Sequence, residues 1–275
     1  MNYPNFGQIR SRFTIFLIGQ YTFISPGKPI FSFHSPTSPM KTAAFEFRPN
    51  SIDEVVFRHV YQENEYRVPE ELQPDDLIID IGAHIGSFSY LCWQRGSRNI
   101  IALEANPENM VLAQRNLAHT NVDVRHHAVW RSDIEQPIVL YNSGHRQMLP
   151  GGLDPLGINT GVGNVMAESG SPVTTIGLDR IIDNREVRIL KIDCEGSEFP
   201  ILLTSKQLKN IAFIAGEYHL MENIPPIAKM PGIEKYTLGL LADLFTENRF
   251  RVEFIPNPHP MFPNVGNFFA YNLDK

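Results

Sequence analysis

The stretch Asp76-Leu-Ile-Ile-Asp-Ile-Gly-Ala-His-Ile-Gly-Ser-Phe88 predicts a strand, a glycine turn and the start of a helix. Residues 77–81 are apolar except for Asp80, a pattern typical of a strand buried within a parallel sheet. Gly82 and Gly86 follow, and glycines there let the backbone approach a ligand at the N-terminus of the next helix. The stretch therefore predicts a nucleotide-binding corner in an α/β fold.

The charge at this corner indicates which ligand it binds. The spacing is not the G-x-G-x-x-G of dehydrogenases, because His84 stands where the second glycine would be. Asp80 ends the strand, at the edge where ligands of open α/β sheets bind. An anion there disfavours a pyrophosphate and suits an ammonium or sulfonium group. S-adenosylmethionine (SAM) has both groups and is the predicted cofactor, although the glycines alone also fit a turn without any ligand.

A second acidic residue supports this prediction. Residues 99–104 form the next predicted strand, which ends in Glu104. Glu104 lies about 20 residues beyond the turn, the spacing of an acid that hydrogen-bonds ribose hydroxyls. The pairing resembles class I SAM-dependent methyltransferases, whose first motif matches Asp80-x-Gly82-x-x-x-Gly86. The resemblance implies cofactor-binding roles for Asp80, Gly82, Ala83, His84, Gly86, Glu104, Ala105 and Ala128.

Further motifs narrow the resemblance. They are Arg48-Pro-Asn-Ser-Ile-Asp53, Glu104-Ala-Asn-Pro107 and Leu190-Lys-Ile-Asp-Cys-Glu-Gly-Ser-Glu198. Together with residues 79–86 they are similar to the signatures of FkbM-type methyltransferases, over residues 45–272. This resemblance implies SAM-dependent transfer of a methyl group to oxygen, often to a hydroxyl of a sugar, polyketide or other secondary metabolite.

The predicted fold is α/β, with a doubly wound, mostly parallel seven-stranded sheet of the Rossmann-like type. A chain of 275 residues suits one such domain with an appendage. We divide it into an irregular N-terminal extension (1–40), an N-terminal helical cap (41–75) and the methyltransferase domain (76–275). Within the cap, Asn50 or Ser51 is the predicted N-cap of a helix that has Asp53 and Glu54 in its first turn. Residues 122–129 are the predicted third strand.

Composition and charge argue against several classes of protein. The net charge of −6 argues against a nucleic-acid partner, whose binders usually carry a basic patch. Two cysteines, Cys92 and Cys194, do not form a disulfide scaffold, which favours reduced thiols and a cytoplasmic location. No apolar run reaches the ~20 residues that a membrane span needs. The expected partner is a small-molecule or glycan acceptor, and the sequence also allows a homo-oligomer.

Methyl transfer to an alcohol requires removal of its proton, so a positioned base is expected. Asp193 and Glu195 alternate at the end of a predicted strand and would face one crevice if the strand continued. His219 suits a base near neutral pH. Glu195, His219 and Asp193 are therefore the predicted catalytic residues, although a helix-start carboxylate and a structural histidine fit the same patterns. Asp193, Glu195, Glu217 and His219 could also bind a divalent cation, which we do not expect.

Residues 144–170 contain seven of the 19 glycines and interrupt the predicted strands. A structureless segment of this length is usually a lid, a binding loop or disordered. We predict a flap that covers the acceptor, with an insertion that packs on a partner chain as the alternative.

Two other functions stay open from the residues alone. One is a Rossmann-type NAD(P) oxidoreductase, against which the missing middle glycine counts. The other is a non-catalytic nucleoside-binding scaffold, which would not need the acidic cluster around Asp193.

Overall fold

The computed structural model describes residues 45–134, 138–143, 148–149, 152–153, 160–161, 163–166, 170–258, 260 and 262–275. The predicted N-terminal extension (1–40) lies outside these residues. So does most of the predicted flap, namely 144–147, 150–151, 154–159, 162 and 167–169.

The main sheet has seven strands in the order β12-β13-β11-β10-β1-β2-β3. Its strands are β1 (Leu77–Ile81), β2 (Asn99–Glu104), β3 (Asp123–His126), β10 (Val187–Ile192), β11 (Ile211–His219), β12 (Phe250–Pro256) and β13 (Val265–Asn272). All neighbouring pairs are parallel except those made by β13, which runs antiparallel to β11 and β12. This confirms the predicted mostly parallel, seven-stranded α/β fold. The winding reverses between β1 and β10, the point where open α/β sheets form a ligand crevice.

Strand β1 shows how the sheet is buried on both faces. Leu77, Ile79 and Ile81 pack into the larger hydrophobic core, whereas Ile78 packs into a second core on the opposite face. Side chains alternate along a strand, so these two sets must point to opposite sides. Each such fully buried side chain stabilises the fold by about 1.5–3 kcal/mol. By the same alternation, Asp80 shares the face of Ile78.

Helices cover both faces, as a doubly wound sheet requires. They are α1 (Asp53–Phe57), α2 (Ser87–Gln94), α3 (Pro107–Asn116), α4 (Leu178–Ile182), α5 (Glu198–Thr204) and α6 (Leu238–Glu247). Helix α2 belongs to the second core, while α4, α5 and α6 pack in the larger one. None of the helices in the described part of the chain has the length and apolar character needed to cross a bilayer.

The cap helix begins later than predicted. Helix α1 starts at Asp53, and Ile52 occupies its N-cap position without a side-chain hydrogen bond. Asn50 has φ +55°, and the Ser51 hydroxyl is bonded within the turn that precedes the helix. A π-helical segment, Arg58–Gln62, continues α1 directly.

The predicted third strand is divided into two. Its first part is β3, which ends at His126, and its second part is β4 (Ala128–Trp130), which joins a separate four-stranded sheet in the order β4-β9-β5-β8. The other members are β5 (Ile138–Ser143), β8 (Gly163–Asn164) and β9 (Ser171–Gly177), and β6 (Met148–Leu149) pairs with β7 (Gly152–Leu153). The division leaves His127 between the two sheets, at the carboxyl end of β3.

Candidate active site

The turn after β1 is held by main-chain hydrogen bonds. The N–H groups of Gly82 and Ala83 both donate to the carbonyl oxygen of Leu103, each at 3.0 Å. Gly82 has φ +76°, and a Cβ there would lie 1.8 Å from the carbonyl oxygen of Asp193. Only glycine satisfies both constraints, because it has no side chain to clash and adopts positive φ freely.

Gly86, the second glycine, has a packing role. It precedes α2 with φ +92°, and a Cβ there would lie 2.8 Å from Leu117 Cδ1. The structure therefore places Gly86 behind the turn, where it lets the start of α2 come close to Leu117.

Glu104 joins the turn to helix α3. One carboxylate oxygen accepts from the N–H of His84 and the other from the N–H of Asn106, both at 2.7 Å. Asn106 in turn caps α3 by accepting from the N–H groups of Glu108 and Asn109. Burial raises the pKa of Glu104 to about 7, and the two N–H donors oppose that rise.

Asp80 does not face the ligand crevice as the sequence interpretation expected. Its side chain is fully buried beneath the turn, and Ser89 Oγ donates to Oδ2 at 2.7 Å. Lys191 Nζ lies 3.5 Å from Oδ1 and donates to the carbonyl oxygens of Ile81 and Gly82. Burial raises the pKa of Asp80, and the charge of Lys191 opposes this rise. Asp80 differs from the expectation because successive side chains point to opposite faces of β1, and its position in the strand turns it towards α2. Asp80 thus supports the turn through Lys191.

A network of polar side chains ties the cap to the turn. The Arg48 guanidinium donates to both oxygens of Asp53 at 2.8 Å, and the Thr160 hydroxyl donates to Oδ1 at 2.7 Å. The same hydroxyl lies 2.8 Å from His84 Nε2. Burial opposes ionisation of Asp53, but the bonds from Arg48, together with His84 and Thr160, leave its pKa below the usual value. Burial lowers the pKa of His84 to about 4, so its imidazole is neutral at pH 7.

A second group of polar residues follows β10 and β11. The strand ends at Ile192, and Glu195 adopts φ +57°, so Asp193 and Glu195 do not alternate on a continued strand as predicted. The Tyr66 hydroxyl donates to Asp193 Oδ2 at 2.8 Å. Glu198, fully buried, instead holds this turn by accepting from the N–H groups of Cys194 and Gly196.

His219 lies among three carboxylates. Its Nε2 is 3.5 Å from Glu195 and 3.4 Å from Glu217, and its Nδ1 is 3.4 Å from Glu198. Burial by itself would lower the pKa of His219, but the three carboxylates raise it well above its usual range. The imidazole is therefore a cation at neutral pH. In this arrangement the predicted base His219 is poorly suited to accept a proton, because a protonated imidazole has no free lone pair.

One pocket spans both groups of residues. Eight of the predicted site residues line it, namely Gly82, Ala83, His84, Glu104, Ala105, Ala128, Asp193 and Glu195. Asp80, Gly86 and His219 lie outside the lining. Through the described residues Gly161, Gly163 and Val165, the insertion also reaches the pocket wall. The cavity therefore runs from the end of β3 to the end of β11, across the point where the winding reverses.

Sequence reasoning missed several residues of this pocket, three of which matter most for its charge and hydrogen bonds. Glu65 and Tyr66 come from the cap, and Lys191 lies near the carboxyl end of β10. One signal was available, namely the charge of Lys191 between Leu190 and Ile192 near the end of the strand, since a buried lysine requires anionic or carbonyl partners.

The described residues contain no group of three or more His, Cys, Asp or Glu side chains arranged to hold a metal ion. The four residues named as alternative metal ligands include His219, whose two ring nitrogens already face carboxylates.

Comparison with known proteins finds one matching family model, described as the methyltransferase FkbM domain, over residues 80–237. The hexuronic acid methyltransferase AglP of Haloferax volcanii is 26% identical over 157 residues, which cover 54% of this chain and 59% of that protein. The match thus spans less than two thirds of that relative.

Two solved structures are also similar. Methyltransferase FkbM from Methylobacillus flagellatus gives a TM-score of 0.45 at 14% identity, with 78% of this chain and 48% of that chain covered. TrmK of M. capricolum, in complex with S-adenosyl-homocysteine, gives a TM-score of 0.41 at 12% identity, with 78% and 69% covered.

Proposed function

We propose that this chain, which belongs to the FkbM methyltransferase family, methylates a hydroxyl oxygen of a sugar-type or other small-molecule acceptor. Its family makes it a SAM-dependent methyltransferase. The transfer to oxygen and the nature of the acceptor are the parts that we propose.

The residues on the β2 side fit SAM. Glu104 offers carboxylate oxygens to a ribose diol, and Ala105, Ala128 and Val129 provide an apolar wall for an adenine. Two buried polar atoms in this lining, Ser87 Oγ and Asn109 Oδ1, have no hydrogen-bond partner within the described part of the chain. A buried polar atom without a partner is costly, so both atoms favour a polar ligand beside them. When bound, SAM supplies a methyl group that is activated by its sulfonium.

The residues on the β10 and β11 side fit the acceptor. Asp193, Glu195 and Glu217 line the same pocket as Glu104, on the other side of the point where the winding reverses. This single pocket, with a ribose-type acid at one end and several carboxylates at the other, is the observation that supports the proposal most strongly.

We assign the role of base to Glu195, whose carboxylate lies beside the His219 cation. The acceptor oxygen bonds to the methyl carbon as the carbon–sulfur bond breaks, with the electron pair left on sulfur. Glu195 takes the hydroxyl proton, so the products are a methyl ether, S-adenosylhomocysteine and a protonated carboxylate. His219 is a positioning residue, because its charge holds Glu195 and Glu217 in place. Asp193, oriented by Tyr66, binds polar groups next to the reacting atoms.

Calorimetry with SAM and with NAD, followed by a screen of sugars and hydroxylated natural products for release of S-adenosylhomocysteine, tests the proposal. We expect SAM to bind and NAD not to bind, and the methyl group to be found on oxygen. Binding of NAD without SAM would instead favour the oxidoreductase. SAM binding without turnover on any hydroxyl would favour the nucleoside-binding scaffold.

The assigned roles predict different kinetics for two variants. Glu195→Gln should lower kcat by about 10²-fold or more with SAM affinity retained, since it removes the base. His219→Gln should lower kcat less, by weakening the position of Glu195. Full activity of both variants would show that the acceptor is deprotonated elsewhere.

A further inference from the structure

The acceptor end of the pocket has more carboxylates than cations. Four carboxyl groups line it, namely Glu65, Asp193, Glu195 and Glu217. Lys191 is the single lysine among the described lining residues, and no arginine is among them. The Lys191 ammonium already donates to two carbonyl oxygens and lies 3.5 Å from Asp80.

Glu65 and Glu217 come together from distant parts of the chain. Glu217 pairs with Asn267 across β11 and β13, and Glu65 lies close enough to both for the Asn267 amide to lower its pKa and for its own charge to raise that of Glu217. Burial, followed by the charge of Asp193, raises the pKa of Glu65 to about 7 and that of Glu217 well above its usual range. The His219 cation lies 3.4 Å from Glu217, and the charge of Lys191 opposes the rise at Glu65. Neither cation keeps the pKa of these two carboxyl groups in its usual range, so a further positive partner would stabilise their ionised forms.

A second, independent observation indicates that a polar ligand binds at the acceptor end of the pocket. The Ser197 side chain is only 1% exposed and lines the pocket next to Glu195, and its Oγ has no hydrogen-bond partner among the residues that the structure describes. A ligand with polar hydrogen-bonding groups would satisfy this atom together with the carboxylates.

The chemistry of these groups selects the charge of the acceptor. A carboxylate-bearing sugar is usually held by an arginine fork or a free lysine, and here it would instead keep Glu65 and Glu217 protonated and meet no free cation among the described lining residues. An ammonium-bearing sugar would donate charge-assisted hydrogen bonds to them. Building on the proposed function, we infer that the acceptor is a hydroxylated molecule with an ammonium group, such as an amino sugar, which Glu65 and Glu217 bind. An ammonium held in this way stays protonated and has no lone pair, so the methyl group goes to a neighbouring hydroxyl.

This acceptor differs from the one in the name of the Haloferax volcanii relative, which is a hexuronic acid methyltransferase. The difference makes the inference testable with three sugars that share one ring. They are methyl glucosaminide, methyl glucoside and methyl glucuronide, which carry an ammonium, a hydroxyl and a carboxylate.

The experiment measures release of S-adenosylhomocysteine from each sugar at pH 7, and the position of the methyl group in the product. We expect kcat/KM to be about tenfold higher for the ammonium sugar than for the neutral one, and lowest for the uronide. Glu217→Gln and, separately, Glu65→Gln should reduce this preference by raising KM for the ammonium sugar, with SAM affinity unchanged. Glu71→Gln, an exposed carboxylate of the same cap segment, should change neither value.

Equal or greater activity on the uronide, or an unchanged preference in both variants, would overturn the inference. If none of the three sugars is methylated, their binding to the protein loaded with S-adenosylhomocysteine decides. Stronger binding of the ammonium sugar supports the inference, and equal or weaker binding overturns it. Methylation on nitrogen would overturn the inference and the proposed transfer to oxygen together, while methylation of the uronide hydroxyl would overturn the inference alone.

Discussion

The two ends of the pocket are built in different ways. At the β1–β2 end, main-chain groups make the connections. The N–H groups of Gly82 and Ala83 donate to Leu103, and those of His84 and Asn106 donate to Glu104. At the β10–β11 end, side chains from separate segments meet, with His219 between Glu195, Glu198 and Glu217.

We call the β1–β2 end the rigid end and the β10–β11 end the adjustable end, because main-chain bonds hold the first and side-chain charges hold the second. The bonds from Gly82 and Ala83 to Leu103 join peptide groups, which do not titrate, so they hold the turn at any pH. Glu104 is the exception at this end, because it accepts main-chain bonds through a carboxylate. Side-chain carboxylates change charge with pH and with the charge of a ligand. Affinity for the cofactor should therefore depend on backbone geometry, and the choice of acceptor on side-chain charge.

The largest effect is expected from Gly82→Ala at the rigid end. The added Cβ would lie 1.8 Å from a carbonyl oxygen, at φ +76°. Gly232 is a matched control, since it has φ +78° and no atom within 4 Å of the corresponding Cβ. Gly232→Ala should cost only the conformational penalty, roughly 1–2 kcal/mol. Gly82→Ala should cost more than about 4 kcal/mol in the free energy of unfolding and abolish SAM binding.

Denaturant unfolding and calorimetry with SAM measure both effects. A similar cost for the two variants would mean that the turn can move away from Asp193, and the rigid end would not be rigid.

The next largest effect is expected from Asp53→Ala, which removes the anchor of the cap. Asp53 accepts two bonds from Arg48 and is fully buried, whereas Asp133 makes a similar pair with Arg131 and is 43% exposed. Breaking a buried pair costs about 3–5 kcal/mol, and breaking an exposed pair costs less than about 1 kcal/mol.

Asp53→Ala should therefore lower the free energy of unfolding several times more than Asp133→Ala. It should also weaken SAM binding, because Asp53 supports the turn through His84 and Thr160. Equal effects in the two variants would show that the cap does not hold the turn.

Glu104→Gln tests the titratable group that accepts main-chain hydrogen bonds at the rigid end. Glu104 in the folded protein has a pKa of about 7, against 4.5 for an unperturbed glutamate. Between these values the folded protein retains a proton that the unfolded chain releases, so the free energy of unfolding falls as pH rises from 4.5 to 7. The titration of Glu104 lowers the free energy of unfolding by at most about 3 kcal/mol over this pH range. Glutamine does not titrate. Relative to the wild type, the free energy of unfolding of the variant should therefore rise by up to this amount as the pH increases from 4.5 to 7.

Urea unfolding at a series of pH values measures this difference. Glu108→Gln, which changes an exposed carboxylate in the first turn of α3, is the control and should show a much smaller change. A difference for Glu104→Gln that does not vary with pH would contradict the predicted sign.

The two ends also differ in how far the sequence predicts them. The glycine turn and Glu104 lie within one strand-turn-helix-strand segment, where spacing along the chain fixes spacing in the fold. The other end depends on contacts that spacing does not contain. Tyr66, for example, bonds Asp193, 127 positions along the chain.

Charge states and side-chain directions were the properties of the site that the sequence predicted least well. His219 has the residue type of a base, but three carboxylates, from β11, from the turn after β10 and from the start of α5, make it a cation. Asp80 has the position of a ligand-binding acid, but the alternation of its strand places it beneath the turn. Both corrections arise because side-chain direction and neighbouring charge are set by tertiary packing.

The smallest effect concerns the insertion, whose described part contacts the rigid end through Thr160. Since the Thr160 hydroxyl donates to Asp53, the neutral His84 must donate from Nε2 to the Thr160 oxygen. Asn109 also donates to the Thr160 carbonyl at 2.9 Å.

Thr160→Val keeps the shape of the side chain and removes both hydroxyl bonds, which should cost about 1–2 kcal/mol and weaken SAM binding severalfold. Thr246→Val, at an exposed helical hydroxyl that bonds Ala242, is the control and should change neither value. In the double variant with Asp53→Ala, Thr160→Val should cost less than it does alone, because the two residues act through the same bond. Strictly additive costs would show that Thr160 holds the insertion independently of the cap, and the predicted flap would then lack its link to the glycine turn.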